Sequence, residues 1–169
     1  MTLPPTIETE RLTLRPFEMR DLDGYLAYYM SGERTGGVGG PKPKYNATER
    51  FMAMAGQWAL RGYGRYAVAD KTGGEAFGHV GIMHVEDDAE PEMTWTLWDP
   101  AQTGNGYATE AAKPAMAAWL KSHGHVVAHI ENGNTASQRV AERLGMAQDP
   151  SRPSPRWMET GLTYVGTAA

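Results

Sequence analysis

The segment that decides the fold is EMTWTLWDPAQTGNGYATEA, residues 92–111. Its first seven residues are typical of a strand, and the residues that follow Gly106 are typical of a helix. Gly104 and Gly106 leave little side-chain bulk at the junction, although glycine weakens the start of a helix. The first N–H groups of a helix have no partner within it, and they attract anions. The segment therefore predicts a main-chain cradle for a phosphate group, with a simple tight turn as the open alternative.

Two specific phosphate-binding motifs do not fit this segment. The P-loop requires Gly-Lys-Ser/Thr at the helix start, and no lysine is present there. The dinucleotide fingerprint GxGxxG/A requires a small residue where Thr109 stands, and it normally lies early in a βαβ unit. The sequence therefore disfavours a nucleotide-binding protein of either kind.

The chain on both sides of this segment alternates between strand and helix patterns. Apolar alternation and buried apolar runs predict further strands at residues 10–15, 65–70, 76–85, 126–130 and 158–166. Apolar spacings of three and four predict helices at residues 18–30, from 46 to about 61, over about 15 residues ending near 123, and at 135–144. The order β-α-α-β-β-β-α-β-α-β predicts a single α/β domain over residues 1–169, with helices on both faces of a mixed sheet.

The glycine- and proline-rich segment SGERTGGVGGPKPKYN, residues 31–46, predicts a long mobile loop. Loops of this length inside compact domains are often functional. The helix after it is predicted to start at Asn46, with Glu49 completing a pair that resembles a capping box.

Composition excludes several classes of protein. The net charge of −4 argues against a nucleic-acid partner, and the absence of cysteine leaves no thiolate metal site or thiol nucleophile. No run of apolar residues suggests a membrane span or a signal peptide, so we expect a cytoplasmic protein that does not contact a membrane. The HEXXH and EF-hand patterns are missing, so we expect no metal.

Four segments together resemble the GNAT superfamily of acetyl-CoA-dependent N-acetyltransferases. They are ETERLTLRPF (residues 8–17), the segment at 92–111, NTASQRVAERLGM (134–146) and LTYVG (162–166). Their order spans nearly the whole chain, and the similarity is greatest to the branch of ribosomal-protein-alanine acetyltransferases. The resemblance implies a mostly antiparallel sheet that splays at the cofactor site, and it leaves open a homodimer.

The resemblance also implies how acetyl-CoA is held. Main-chain N–H groups would bind the pyrophosphate, at Thr103, Gly104, Asn105, Gly106, Tyr107 and Ala108. The pantetheine arm would pair with the strand near Leu97 and Trp98 and would contact Asn134, which is also a preferred helix N-cap. Thr103 departs from the family pattern, which usually has arginine or glutamine at that position.

Proton transfer has several candidates. The resemblance implies a base at Glu92 or at His129, and His84 ends the neighbouring strand; each also has a structural interpretation. The tyrosine that serves as the acid in many family members corresponds to Ala141 here. The branch that the sequence resembles has a serine three residues after the motif asparagine, which implies Ser137 as the acid, with cofactor contact or a local hydrogen bond as its alternatives.

The acceptor side would come from the first two helices and the segment between them. The residues predicted to touch the acceptor are Glu33, Arg34, Tyr45, Trp58 and His84. Without a cysteine to carry the acetyl group, we expect direct transfer from acetyl-CoA to a primary amine of a protein N-terminus or a small molecule. The competing hypothesis is a non-catalytic module that binds or senses acyl-CoA on the same fold.

Overall fold

The computed structural model describes residues 2–87, 89–153, 155 and 158–168. These residues form a mixed eight-stranded sheet with helices on both faces, which confirms the three-layer α/β prediction. The elements are β1 (Ile7–Glu8), β2 (Leu12–Arg15), α1 (Leu22–Ser31), α2 (Lys44–Arg61), β3 (Arg65–Asp70), β4 (Gly78–Met83), β5 (Glu92–Leu97), α3 (Tyr107–His123), β6 (His125–Glu131), α4 (Thr135–Arg143), β7 (Ala147–Gln148) and β8 (Gly161–Thr167). The strands lie in the order β1-β2-β3-β4-β5-β6-β8-β7.

The predicted start of α2 is wrong. The helix begins at Lys44, directly after Pro43, and no side chain caps it. Proline fixes its own φ, here −54°, near the helical value. Asn46 therefore already lies inside the helix, and its pairing with Glu49 as a capping box does not form.

Other predicted boundaries differ less from those in the structure. Segment 31–46 contains a 3-10 turn at Gly36–Val38 and the first residues of α2, so it is shorter and more ordered than one continuous loop. The two-residue strands β1 and β7 are too short to produce a periodic pattern, and they were not predicted.

One face of the sheet is a conventional apolar core. Tyr66, Val80 and Met93 point to this face from three neighbouring strands, where they pack with Ala112 and Trp119 of α3. All five side chains are almost fully buried. This face stabilises the domain through the removal of apolar surface from water.

The other face is divided into an apolar half and a polar half. In the apolar half, Ala67 and Trp98 pack with Tyr25 of α1 and Phe51 of α2. Side chains alternate between faces along a strand, and residues directly opposite each other share a face. Arg65 lies two positions before Ala67, His79 is opposite Ala67, and Glu92 lies two positions before Thr94, which is level with Arg65. This half of the face therefore carries polar side chains.

The sheet opens between β5 and β6, as the resemblance predicts. These two strands are parallel, and their pairing has the single register Glu92 opposite Val127. The Val127 N–H donates to the Pro91 carbonyl at 3.1 Å. Beyond that point the facing edges of β5 and β6 are available to a ligand.

Candidate functional site

A cavity of about 1020 Å³ opens where β5 and β6 separate. Among the described residues that line it, six are cationic and two are acidic: Arg34, Lys42, Arg50, Arg65, Arg139, Arg143, Glu92 and Glu131. The whole chain has a net charge of −4, so the cavity has the opposite sign to the protein. Such a lining favours an anionic ligand.

The start of α3, where the anion cradle is predicted, presents unpaired main-chain donors. No described residue accepts a hydrogen bond from the main-chain N–H groups of residues 104–109. Gly104 and Gly106 have φ angles of +84° and +81°, which glycine adopts without strain. The N–H of Thr103 already donates to the Pro100 carbonyl at 3.1 Å, so the available donors begin one residue later than predicted.

The turn between β1 and β2 makes hydrogen bonds to the first turn of α3 and to the residues just before it. The Glu110 carboxylate accepts hydrogen bonds from the Thr9 hydroxyl at 2.6 Å and the Arg11 Nε at 2.7 Å. Arg11 also donates to the Asn105 carbonyl and lies 4.3 Å above the centre of the Tyr107 ring. The turn between β1 and β2 therefore holds the first turn of α3 in position.

Arg34 reaches from the segment before α2 to the end of β5. Its guanidinium donates to the carbonyls of Leu97 and Trp98, at 3.1 and 3.2 Å, and to the Thr103 hydroxyl at 3.1 Å. A positive charge therefore stands beside Thr103, where the family's usual arginine is missing. Arg34 was predicted to touch the acceptor, and the structure places it at the end of β5, beside the predicted anion cradle.

Leu97 and Trp98 differ in what they offer a ligand. The Trp98 N–H donates to the Phe77 carbonyl at 2.7 Å, and its buried indole donates to the Nδ1 atom of His79 at 2.8 Å. N–H groups alternate in direction along a strand, so the N–H of Leu97 faces the gap. Of these two predicted pairing residues, Leu97 alone presents an available N–H.

Glu92 lies at the point where the two strands part, and its side chain lines the cavity. Burial raises the pKa of its carboxyl to about 7, although a hydrogen bond from the His129 main-chain N–H and the charges of Arg65 and Arg50 oppose that rise. A carboxylate with this pKa can accept a proton near neutral pH.

His129, the second candidate base, also lines the cavity from β6. Its Nδ1 atom lies 3.2 Å from the Thr163 hydroxyl. Burial lowers the pKa of the His129 imidazole below its usual value. The neutral imidazole is therefore a weaker proton acceptor than the Glu92 carboxylate.

Asn134 and Ser137 meet at the start of α4. The Asn134 Oδ1 accepts a hydrogen bond from the Ser137 N–H at 3.1 Å, which makes Asn134 the N-cap of the helix. Both residues line the cavity. The Ser137 hydroxyl makes no hydrogen bond to a described residue, so the local bond that was its structural alternative is absent from the described chain.

The model of the acetyltransferase (GNAT) domain matches residues 11–147. The chain belongs to the GNAT acetyltransferase family. An acetyltransferase from Agrobacterium tumefaciens str. C58 is 32% identical, with a TM-score of 0.87 over 99% of this chain and 97% of that one. A ribosomal-protein-S5-alanine acetyltransferase from Vibrio fischeri shares the fold at 15% identity, with a TM-score of 0.73 over 96% of each chain.

A curated relative matches more locally. The uncharacterized protein YkkB of Bacillus subtilis (strain 168) is 36% identical over 92 residues, which are 51% of this chain. The match spans 53% of that relative, about half of its length.

Four of the residues predicted to bind the acceptor are not among the cavity residues of this GNAT chain: Glu33, Tyr45, Trp58 and His84. Tyr45 is exposed in the first turn of α2. The Trp58 indole donates to the Arg65 carbonyl at 2.7 Å, and the Nδ1 atom of His84 lies 2.6 Å from the Tyr63 hydroxyl. Trp58 and His84 therefore have contacts within the fold.

The cavity residues that the sequence analysis missed include Arg50, Arg65 and His79. Arg65 begins β3, and a charged residue at a strand end normally indicates a solvated terminus. His79 follows Gly78 in β4, whose mostly apolar sequence predicts a buried strand rather than a site. Their convergence on one cavity depends on strand pairing, which no local pattern in this chain indicates.

The described residues contain no group of three or more His, Cys, Asp or Glu side chains that could hold a metal ion. Of the helices within that part of the chain, none is long and apolar enough to cross a membrane.

Proposed function

We propose that this chain binds acetyl-CoA and transfers its acetyl group directly to a primary amine of a small molecule or a protein N-terminus. The observation that carries the proposal is the set of unpaired N–H groups at residues 104–109, beside the gap between β5 and β6. Membership of the GNAT family supports the same reaction. The sequence contains no cysteine, so direct transfer requires no thiol of the protein.

The residues at the cradle fit coenzyme A. The N–H groups of residues 104–109 would hold the diphosphate, with Arg34 supplying a nearby positive charge. The main chain of Leu97 would pair with an amide of the pantetheine arm; its carbonyl accepts from Arg34 and keeps a second lone pair. Acetyl-CoA, when bound, supplies an acetyl group activated as a thioester.

Glu92 is the general base in this proposal. An amine must lose its ammonium proton before it can attack a carbonyl carbon, and the carboxylate at the apex of the gap can take that proton. The pKa of about 7 at Glu92 keeps the carboxylate substantially ionised at neutral pH and gives it more basicity than an ordinary glutamate.

Ser137 is the proposed proton donor to the departing sulfur. Its hydroxyl is on the opposite side of the gap from β5, lines the cavity, and is not used by the described chain. Asn134 holds the start of α4 and so positions Ser137.

Two observations favour the second candidate, a non-catalytic acyl-CoA-binding module. Ala141, fully buried in α4, occupies the position of the family's usual acidic tyrosine. Thr103 also replaces the usual arginine or glutamine. A thiol-release assay with acetyl-CoA and a panel of amines separates the two, because only the enzyme releases CoA in proportion to the amine acetylated.

The cradle is tested with a matched pair of glycine substitutions. Gly104→Val forces a branched side chain into a φ of +84° and is expected to weaken acetyl-CoA binding at least tenfold by isothermal titration. Gly56→Ala in α2, where an added Cβ meets nothing within 4 Å, is the control. Equal affinity for acetyl-CoA in wild type and Gly104→Val, or tighter binding of ATP than of CoA, would contradict the proposal.

A further inference from the structure

Arg65 is a buried cation that forms no ion pair with a described residue. Its side chain lines the cavity, yet only 6% of the residue is exposed. Its Nε atom has no hydrogen-bond partner in the described chain, and the charge of Glu92 acts on the guanidinium without an ion pair between them. A buried charge in this state is costly unless something else pairs with it.

The groups around Arg65 add further unused donors and a second cation. The hydroxyls of Tyr25 and Tyr29 are buried and close enough to interact with each other, and neither makes a hydrogen bond of good geometry to a described residue. Burial raises the pKa of Tyr25, so its hydroxyl remains a neutral donor. The Arg50 guanidinium lies 5.5 Å from the centre of the Tyr29 ring, and its charge, like burial, lowers the pKa of Arg65, to about 10.

His79 adds no charge to this cluster. Burial, followed by the charges of Arg65 and Arg50, lowers the pKa of its imidazole. The Trp98 indole can only donate, so the Nδ1 atom of His79 accepts from it and the ring proton lies on Nε2. The cluster therefore combines two guanidinium groups with neutral hydrogen-bond donors.

Among the described carboxylates, the one whose charge acts on Arg65 is that of Glu92, the proposed base. Arg65 is opposite Gly81, which is opposite Thr94, and Glu92 lies two residues before Thr94 on the same face. Strands are about 4.8 Å apart, so the main chains of Arg65 and Thr94 are about 10 Å apart. Gly81 places no side chain between them, and a small molecule can touch both Arg65 and Glu92.

The cluster is separate from the cofactor cradle. The cradle follows the far end of β5, beyond Leu97, whereas Arg65 is level with Thr94. Three residues of strand separate these levels, which is about 10 Å along β5. A diphosphate bound at residues 104–109 therefore leaves the Arg65 cluster for a second ligand.

We propose that the acceptor is a small amine that carries a carboxylate, such as an amino acid, and that Arg65 and Arg50 bind its carboxylate while its amine faces Glu92. This inference rests on the proposed function. The planar guanidinium of Arg65 matches a carboxylate in two parallel hydrogen bonds, and Tyr29, which also lines the cavity, supplies a further hydroxyl donor. A peptide N-terminus, whose first carboxyl is an amide, would leave the buried guanidinium unpaired.

The experiment compares amines that differ only in the carboxylate. Glycine, methionine and phenylalanine are assayed against their amides by thiol release with acetyl-CoA, in wild type and in Arg65→Met, Arg65→Lys and Arg61→Met. We expect wild type to favour each acid over its amide by about 100-fold in kcat/KM. The amide has the less basic and more readily deprotonated amine, so amine reactivity alone would give the opposite order.

The variants show whether Arg65 causes that preference. Arg65→Met is expected to reduce the ratio to about threefold or less, and Arg65→Lys to retain part of it. Arg61→Met is the control, because Arg61 ends α2 and pairs with Asp87 outside the cavity. A wild-type ratio near one, or a ratio that survives in Arg65→Met, would overturn the inference.

A binding measurement keeps this inference distinct from the proposed function. N-acetylglycine and N-acetylmethionine are titrated into the wild-type complex with CoA and into the Arg65→Met complex. Binding to wild type alone supports the carboxylate site even when no turnover is seen. Acetylation of amides or peptides as fast as acids would leave the enzyme assignment standing and refute the acceptor class, and failure of both N-acetylamino acids to bind, with no transfer to any acid, also refutes it.

Discussion

Arg15 and Arg65 are both buried arginines at strand ends, and they differ in how their charge is satisfied. Arg15 donates to both carboxylate oxygens of Asp21 at 2.8 Å, and also to the carbonyls of Pro16 and Gly74. Asp21 is fully buried and accepts further hydrogen bonds from the Glu18 and Ala76 N–H groups. Arg65 has no corresponding carboxylate among the described residues.

The difference distinguishes the charge of Arg15, which has a structural partner, from the charge of Arg65, which is available to a ligand. The chain itself completes the surroundings of Arg15, which ties the start of α1 to the loop between β3 and β4. Arg65 stands beside an open cavity with its guanidinium unpaired, which destabilises the fold unless a ligand compensates. Burial of a charge therefore does not by itself mark a functional residue, whereas burial without a partner does.

The largest expected effect tests the structural arginine. Asp21→Ala leaves Arg15 buried and unpaired, and should lower the free energy of unfolding by about 3–5 kcal/mol. Urea unfolding followed by circular dichroism measures the change. The matched variant Arg65→Met should leave the free energy of unfolding unchanged or raise it, because it removes a buried guanidinium that forms no ion pair with a described residue. A loss in Arg65→Met as large as in Asp21→Ala would remove the distinction between the two arginines.

The next effect concerns the carboxylate that Arg65 faces. Glu92→Gln should reduce kcat by at least about 100-fold, because no base remains to take the ammonium proton. In wild type the rate should rise with pH and level off above about 7, since the carboxylate must be ionised. The residual activity of the variant should not show this rise with pH. If the same rise is seen in the variant, the base is another group, with His129 as the first candidate.

Glu92→Gln, which lowers kcat, should raise the stability of the fold above the pKa of an ordinary glutamate. The pKa of Glu92 is raised from 4.5 to about 7 in the folded state, so its ionised form destabilises the fold and the penalty grows as pH rises above the unfolded pKa. Glu92→Gln should therefore be more stable than wild type at pH 8, by about 3 kcal/mol at most, and equal to it below pH 4. Thermal unfolding at the two pH values measures both.

Arg34 is intermediate between Arg15 and Arg65, because it has hydrogen-bond partners but they are carbonyls and a hydroxyl rather than a carboxylate. Arg34→Ala should raise the KM for acetyl-CoA by about tenfold, with a smaller change in kcat, because one charge beside the cradle is lost. Arg34→Lys should restore part of the affinity. An effect on the acceptor KM alone would return Arg34 to the acceptor side, as the sequence analysis had it.

The smallest effect is expected at an exposed pair. Arg61 and Asp87 form an ion pair at 2.7 Å, and the Asp87 side chain is 90% exposed. Asp87→Asn should leave both Tm and activity within experimental error, because water screens such pairs. A drop in Tm comparable to that of Asp21→Ala would show that burial is not what gives the Arg15 pair its importance.

Accuracy of the sequence-based predictions depended on how local each feature is. The anion cradle, the N-cap at Asn134 and the order of the main elements follow from residues within one or two turns of each other. The start of α2 was missed because proline at residue 43 outweighed the polar pair inside the helix. The cluster around Arg65 was missed because Arg65, His79 and Glu92 meet only through the pairing of β3, β4 and β5.

The sequence by itself determined the strand, glycine turn and helix at residues 92–111, because the unpaired donors of a helix start depend only on the residues around it. It also determined the family, through four segments in a fixed order. The tertiary structure alone decided that Arg34 reaches the end of β5, that Glu110 holds Thr9 and Arg11, and that Arg65 shares a cavity with Glu92. Those contacts join residues far apart in the chain, and strand pairing and the packing of α1 and α2 against one face bring them together.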